Sequence, residues 1–282
     1  MPKGLLKWIG NKQRFAKEII SYFPNVFNNY YEPFLGSGAV LAELEASRES
    51  IAFNRSFGSD ELPFLIEIFN YVKIEPETVK RYYREAMAGY SANPKANYEM
   101  IRDRFNKTRD SLDFLLLSRT CYSGVVRFRK ADGYMSTPCG PHKPIPPSAF
   151  DKRVDEWHRL IRTASFEVLD YKEAINRAGA GDVVYCDPPY THSQSIIYGA
   201  QSFCIDELFK AIEQAKNRGV RVALSINGTR ESKRKDISVA IPPGLFAREI
   251  IVNCGTSMID RLQKSGKTMD DEIVHDKLLL TW

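Results

Sequence analysis

Gly181-Asp182-Val183-Val184-Tyr185-Cys186-Asp187-Pro188-Pro189-Tyr190 is an apolar, β-branched and aromatic run that ends on a carboxylate and two prolines. Val183 to Cys186 has the composition of a strand buried on both faces. Pro188 and Pro189 have no backbone N–H and cannot extend it, so Asp187 is left at the strand's C-terminal tip. In an open α/β sheet such tips border the crevice where ligands bind. An ordinary strand-ending turn can look the same, so the neighbouring stretches decide.

Outward from this run the chain alternates strand and helix. Downstream the spacing predicts a helix over 205–217, a strand over 220–226 and paired strands at 249–252 and 273–282. Upstream it predicts a strand over 166–169 and a helix beginning at Tyr171. The N-terminal part reads as a helical pattern with Phe15, Ile19, Ile20 and Phe23 on one side, a strand at 29–32, a glycine-bearing turn, and a helix from Ala39. A second strand is expected over 50–53, with Asp60 in the following loop and a helix over 62–74. Between that helix and the strand at 166 the pattern changes. Helices are expected over 77–90, 98–107, 111–120 and 149–161, with a hairpin turn at Asp132-Gly133 and a proline-rich loop after it. The fold class is therefore α/β, with a helical and hairpin block of about 85 residues inserted between the second and third strands, a size suited to a subdomain.

The 282 residues and 43% hydrophobic content are enough for a sizeable core. No stretch approaches the roughly 18 apolar residues of a membrane span, and no leader pattern opens the chain, so a cytoplasmic location is expected. Five cysteines, odd in number and scattered, and four dispersed histidines exclude a disulfide framework and give no zinc pattern, so no metal is expected. The net charge of +5 is unevenly spread. Between Ile101 and Thr163 there are 13 Lys and Arg against 7 Asp and Glu, whereas the rest of the chain holds 27 basic and 28 acidic residues. The basic excess coincides with the inserted block, as a phosphate-binding surface would require.

Glu32-Pro33-Phe34-Leu35-Gly36-Ser37-Gly38 joins a strand to a helix through glycines that permit close backbone approach to a ligand. It has neither the G-x-G-x-x-G of dinucleotide binders nor the lysine of a P-loop, which favours a nucleoside without phosphates. An acid near the tip of the next strand, here Asp60 with Glu61 as its rival, could accept ribose hydroxyls.

Five ordered motifs, Lys7-Trp8-x-Gly10-x-Lys12, the glycine loop, Cys121-Tyr122-Ser123-Gly124-x-x-Arg127-Phe128, Leu169-Asp170-Tyr171 and Asp187-Pro188-Pro189-Tyr190, resemble the Dam-like DNA adenine-N6 methyltransferases in their α-type order. The resemblance covers nearly the whole chain. It implies a Rossmann-like methyltransferase sheet made of residues 1–75 and 164–282, interrupted by a DNA-recognition subdomain at 76–163. It also implies S-adenosyl-L-methionine as cofactor and double-stranded DNA as substrate. Trp8, Lys12, Glu32, Pro33, Phe34, Gly36, Ser37, Gly38, Asp60, Asp170, Tyr171 and Asp187 match positions around the cofactor. Asp187, Pro188, Pro189 and Tyr190 match the catalytic tetrapeptide.

Lys7, Tyr122, Ser123 and Arg127 match DNA-contacting positions. Arg129 and Lys130, like Arg230, Lys233, Arg234 and Lys235, have no specific match and are expected at phosphates or in solvent. Ser123 stands where better-known relatives carry asparagine, and Val125, Val126 and His142 also differ, which leaves the target sequence open. A monomer on DNA is the default, with a cognate restriction endonuclease as a possible partner. The residues also leave room for a cytosine-N4 or RNA amino methyltransferase, or for a DNA-binding module on a methyltransferase scaffold.

Overall fold

The computed structural model describes residues 2–8, 10–189, 203–227, 240–256 and 273–282. Tyr190, the last residue of the expected catalytic tetrapeptide, and the basic residues Arg230, Lys233, Arg234 and Lys235 lie outside that set. Among the described residues seven strands form one sheet in the order β3-β2-β1-β4-β5-β7-β6. They are β1 (Asn29–Glu32), β2 (Arg55–Asp60), β3 (Ser165–Val168), β4 (Val183–Cys186), β5 (Arg221–Asn227), β6 (Arg248–Thr256) and β7 (Ile273–Leu280). β1 to β5 are parallel, and β7 runs antiparallel to both β5 and β6. After β1 the chain proceeds outward to β2 and β3 and then returns to β4 on the other side of β1. The C-terminal ends of β1 and β4 thus flank the switch point, the expected crevice of an open sheet.

The sheet is covered on both faces, which explains the unbroken apolar run at β4. Val183 and Tyr185 face one core, together with α1 (Ala16–Ser21), α2 (Ala39–Ala46) and α3 (Pro63–Ile74). Val184 and Cys186 face a second core, with α8 (Tyr171–Arg177) and α9 (Ile205–Asn217). Successive strand side chains point to opposite faces, so four consecutive buried residues need helices on both sides.

One expected strand falls elsewhere. Residues 50–53 form a turn, with Ile51 N–H bonding to the Ser47 carbonyl, and only Ala52 makes an isolated bridge, to Val26. The apolar side chains that suggested a strand are used differently: Phe53 stacks on Phe27 with centroids 5.3 Å apart. The actual strand, β2, looks irregular in sequence because its buried positions are small. Ser56 donates to Glu45, and a Cβ on Gly58 would lie 2.8 Å from Leu35 Cδ1. Asp60 consequently ends this strand and does not lie in a loop beyond it.

Between β2 and β3 come α3, α4 (Pro76–Ala92), α5 (Pro94–Thr108), α6 (Ser111–Thr120) and α7 (Pro147–Leu160). Phe64, Phe105, Phe114 and Phe128 pack ring on ring there, the closest pair, Phe64 and Phe114, 4.5 Å between centroids. This cluster is continuous with the core of the sheet. The Asp132-Gly133 turn is present, with Gly133 at φ +66° and Phe128 bridged to Met135. Among the described residues no helix is long and apolar enough to cross a membrane, and no group of three His, Cys, Asp or Glu could hold a metal ion.

Candidate active site

The crevice at the switch point is a cleft of about 990 Å³ including its open mouth. Three stretches that are remote in sequence wall it: the N-terminal segment with Trp8 and Lys12, the glycine loop after β1, and Asp187-Pro188-Pro189 after β4. Lys12 Nζ stands 3.1 Å from Asp187 Oδ1, and the two side chains are 7% and 19% exposed. The Asp187 carboxylate is thus held at the strand tip with a cation facing it across the cleft.

The glycine loop sits under these groups. Gly36 has φ +47°, and a Cβ there would lie 2.9 Å from Trp8 Nε1, so only glycine lets the loop pass the indole. Asp60 fixes the loop from β2: one carboxylate oxygen accepts from Gly36 N–H at 3.1 Å and the other from Leu62 N–H at 3.2 Å. Burial raises its pKa to about 6, partly offset by those amide donors. Glu32 ends β1 beneath the cleft, where burial lifts its carboxyl to about 8. The Tyr30 hydroxyl donates to it at 2.8 Å, while the neighbouring Asp187 charge pushes its pKa further up.

An aromatic wall completes the cleft. Phe34 stacks on Tyr171 with centroids 5.1 Å apart, and Phe203 meets Phe34 edge-on at 5.9 Å. Trp8, Lys12, Glu32, Pro33, Phe34, Gly36, Ser37, Asp60, Tyr171, Asp187, Pro188 and Pro189 all line this one cleft.

Two expected residues stand apart from the wall. Gly38 is the left-handed N-cap of α2, backed by Phe69 and Trp157. The Asp170 carboxylate caps α8, accepting from Lys172 N–H at 2.7 Å. Glu61, the rival acid, is exposed on the wall, and desolvation and then the Asp170 charge raise its pKa. Asn11 and Phe203 were missed. Asn11 accepts from the Ser37 hydroxyl at 3.1 Å, tying the N-terminal segment to the glycine loop. Its place between Gly10 and Lys12 was the available signal, whereas nothing local marks Phe203.

Residues 8–235 match the D12 class N6 adenine-specific DNA methyltransferase family. The chain belongs to that family. It is 30% identical over 246 residues to a DNA adenine methylase of Vibrio cholerae, covering 82% of this chain and 84% of that one. It is 28% identical over 239 residues to a DNA adenine methylase of Escherichia coli, covering 80% and 81%. Among solved structures it is similar to the rRNA methyltransferase AviRa from Streptomyces viridochromogenes, at 14% identity and a TM-score of 0.40 over 95% of this chain and 83% of that one, a likeness too distant to carry weight.

In this adenine methyltransferase the predicted DNA-contacting residues cluster next to the N-terminal segment. Gly124, at φ +68°, lies against Lys7, whose Cβ would be 3.0 Å from an added Cβ. Lys7 is exposed, and desolvation and then the Arg119 charge lower its pKa. Tyr122 is 45% exposed and Arg127 is also exposed, while Val125 and Val126 are buried and so belong to the core. Ser123 has φ +59°, a left-handed backbone that asparagine adopts more readily than serine. Arg129 is committed within its hairpin, with Nε 3.0 Å from Asp132 Oδ1 and its guanidinium 4.4 Å from the Tyr134 ring. Lys130 is exposed beside it.

Proposed function

We propose that this DNA adenine methyltransferase transfers a methyl group from S-adenosylmethionine to N6 of an adenine flipped out of duplex DNA. The observation that carries the reading is Asp187, held at the tip of β4 opposite Lys12 and directly above the glycine loop. The cleft's residues suit the cofactor. Glycine at 36 lets the loop pack against the Trp8 indole on the cleft wall, Lys12 offers an ammonium to a carboxylate, Asp60 retains lone pairs for ribose hydroxyls, and the Phe34, Tyr171 and Phe203 rings offer apolar faces to adenine. Asp60 is favoured over Glu61 because it both ends β2 and holds the Gly36 amide, which puts its carboxylate at the loop itself.

S-adenosylmethionine, when bound, supplies a methyl group on a sulfonium that departs as a neutral thioether. Asp187 and the Pro188 carbonyl act on the adenine. Together they accept the two amino hydrogens, draw the nitrogen toward tetrahedral geometry and free its otherwise delocalised lone pair for in-line attack. The nitrogen gains the methyl and then loses one proton, by way of Asp187, to solvent. Tyr190 is assigned to stack on the extruded base, since a base inside the duplex cannot present its amino face. The block at 76–163 is assigned to target recognition, with Tyr122 and Ser123 meeting the helix near the extruded base, Arg127 reading a base and the exposed Lys130 meeting phosphates, while Lys7 touches DNA from the N-terminal segment. Arginine suits guanine because its planar fork reaches two acceptors at once.

The test is incubation of the purified protein with methyl-labelled cofactor and duplex DNA, followed by digestion to nucleosides. Label in N6-methyl-2′-deoxyadenosine is expected. Label in N4-methyl-2′-deoxycytidine, or transfer only to RNA, would overturn the substrate assignment, and absence of transfer would reject the catalytic reading.

A further inference from the structure

The N-terminal residues 2–6 have no helix or strand, yet Leu5 is 0% and Leu6 3% exposed. Three consecutive carbonyls of this strap accept side-chain donors from the inserted helices. Trp157 Nε1 of α7 donates to the Lys3 carbonyl at 2.9 Å, and Arg153 Nη1 of α7 donates to the Gly4 carbonyl at 2.8 Å. Arg119 Nη1 of α6 donates to the Leu5 carbonyl, and at 3.4 Å to that of Gly4. Gln13 Nε2 closes the strap from its other end, on the Pro2 carbonyl at 2.7 Å.

Arg119 is only 3% exposed, and it meets neutral groups: the strap carbonyls, the Tyr83 hydroxyl and the Phe150 ring. Desolvation and the nearby Arg153 charge lower its pKa, so the arrangement disfavours the cation that it nevertheless uses. A guanidinium held in this way is costly, and a hydrocarbon side chain would fill the space more cheaply. What the guanidinium adds is direction, because it fixes the backbone of residues 3–5. Beyond them come Lys7, against the recognition turn, and then Trp8, Asn11 and Lys12 on the cleft wall. α6 itself runs into that turn at Tyr122.

We propose that Arg119 and Arg153 are positioning residues that hold the N-terminal strap in register, so that the inserted helices set the placement of Trp8 and Lys12 in the cleft. This rests on the reading of the cleft as the S-adenosylmethionine site. The strap is then the physical link between the segment that meets DNA and the wall that meets the cofactor.

The experiment has two readouts on the full-length protein. Calorimetry with S-adenosylmethionine should show binding weakened about tenfold by Arg153→Ala, the loss expected of one charge-assisted hydrogen bond, and largely restored in Arg153→Lys. In a Trp8→Ala background the same Arg153→Ala change should cost less than about twofold, because the strap no longer presents the indole. Fully multiplicative effects, or an Arg153→Ala protein that binds as the wild type does, overturn the proposal. Backbone hydrogen exchange needs no cofactor: Arg153→Ala should accelerate exchange over residues 5–12 and leave β4 unchanged. Uniform acceleration, or none, overturns the anchoring. Local acceleration in Arg153→Ala, together with a wild-type protein that binds no S-adenosylmethionine, supports the anchoring and rejects the assignment of the cleft.

Discussion

Lys12 Nζ lies 3.1 Å from Asp187 Oδ1, an ion pair that joins the N-terminal segment to the tip of β4 across the cleft. The contact holds the Asp187 carboxylate at the strand tip. Replacing Asp187 by Asn keeps its shape and removes its charge. Single-turnover methyl transfer to duplex DNA should fall by about a hundredfold or more, in line with the loss of a preorganised electrostatic partner. Lys12→Met should lower transfer and also weaken cofactor binding, which calorimetry separates from the Asp187 effect.

The two glycines of the loop should respond differently. At Gly36 an added Cβ meets the Trp8 indole at 2.9 Å on the cleft side, so Gly36→Ala should abolish cofactor binding with a smaller effect on thermal unfolding. At Gly38 it meets Phe69 Cε1 at 3.1 Å in the core, and the backbone is left-handed. Gly38→Ala should therefore cost about 1–2 kcal/mol of stability, the ordinary penalty for that conformation, read by urea unfolding.

Stability should fall as pH rises from about 5 to 8. Glu32 has a folded pKa of about 8 and Asp60 of about 6, both raised by burial above their unfolded values. The folded state therefore binds more protons than the unfolded state across this window, and stability present at low pH is lost as pH climbs through the folded values. Glu32→Gln, which stays neutral, should flatten the slope of unfolding free energy between pH 5 and 8. An unchanged slope would mean that Glu32 does not titrate within the fold.

Arg127 and Arg129, both exposed in the hairpin region, should behave differently because Arg129 is bound to Asp132 and lies over the Tyr134 ring. Arg127→Ala should relax the choice of methylated site, seen by sequencing DNA from cells expressing the variant. Arg129→Ala should leave site choice intact and loosen the turn, seen as faster proteolysis of the 127–136 segment.

Ser123→Asn should be tolerated, and slightly stabilising, because asparagine accepts the left-handed backbone at φ +59° better than serine does. Ser123→Val places a β-branched residue there and should impair both folding and DNA binding. Thermal unfolding and a salt-dependent DNA-binding titration distinguish the two outcomes.

The buried strand ending at Asp187, the glycine loop after β1 and the helical block between the second and third strands are legible in the amino-acid order alone. Each is written in local chemistry: prolines that stop a ladder, glycines that permit close approach, and periodicities of two and 3.6. Tertiary structure decided the rest. β2 lies at Arg55–Asp60 because its buried positions hold small residues under Leu35 and Phe166, a fit no single segment reveals. Arg129 paired with Asp132 along the surface of its own hairpin, Val125 and Val126 entered the core, and Phe203 reached the cleft. The pairing of Lys12 with Asp187, and of Arg153 with the Gly4 carbonyl, depends on the path of the chain between them. Local pattern fixes which face of an element is apolar, but only packing fixes which distant side chain meets it.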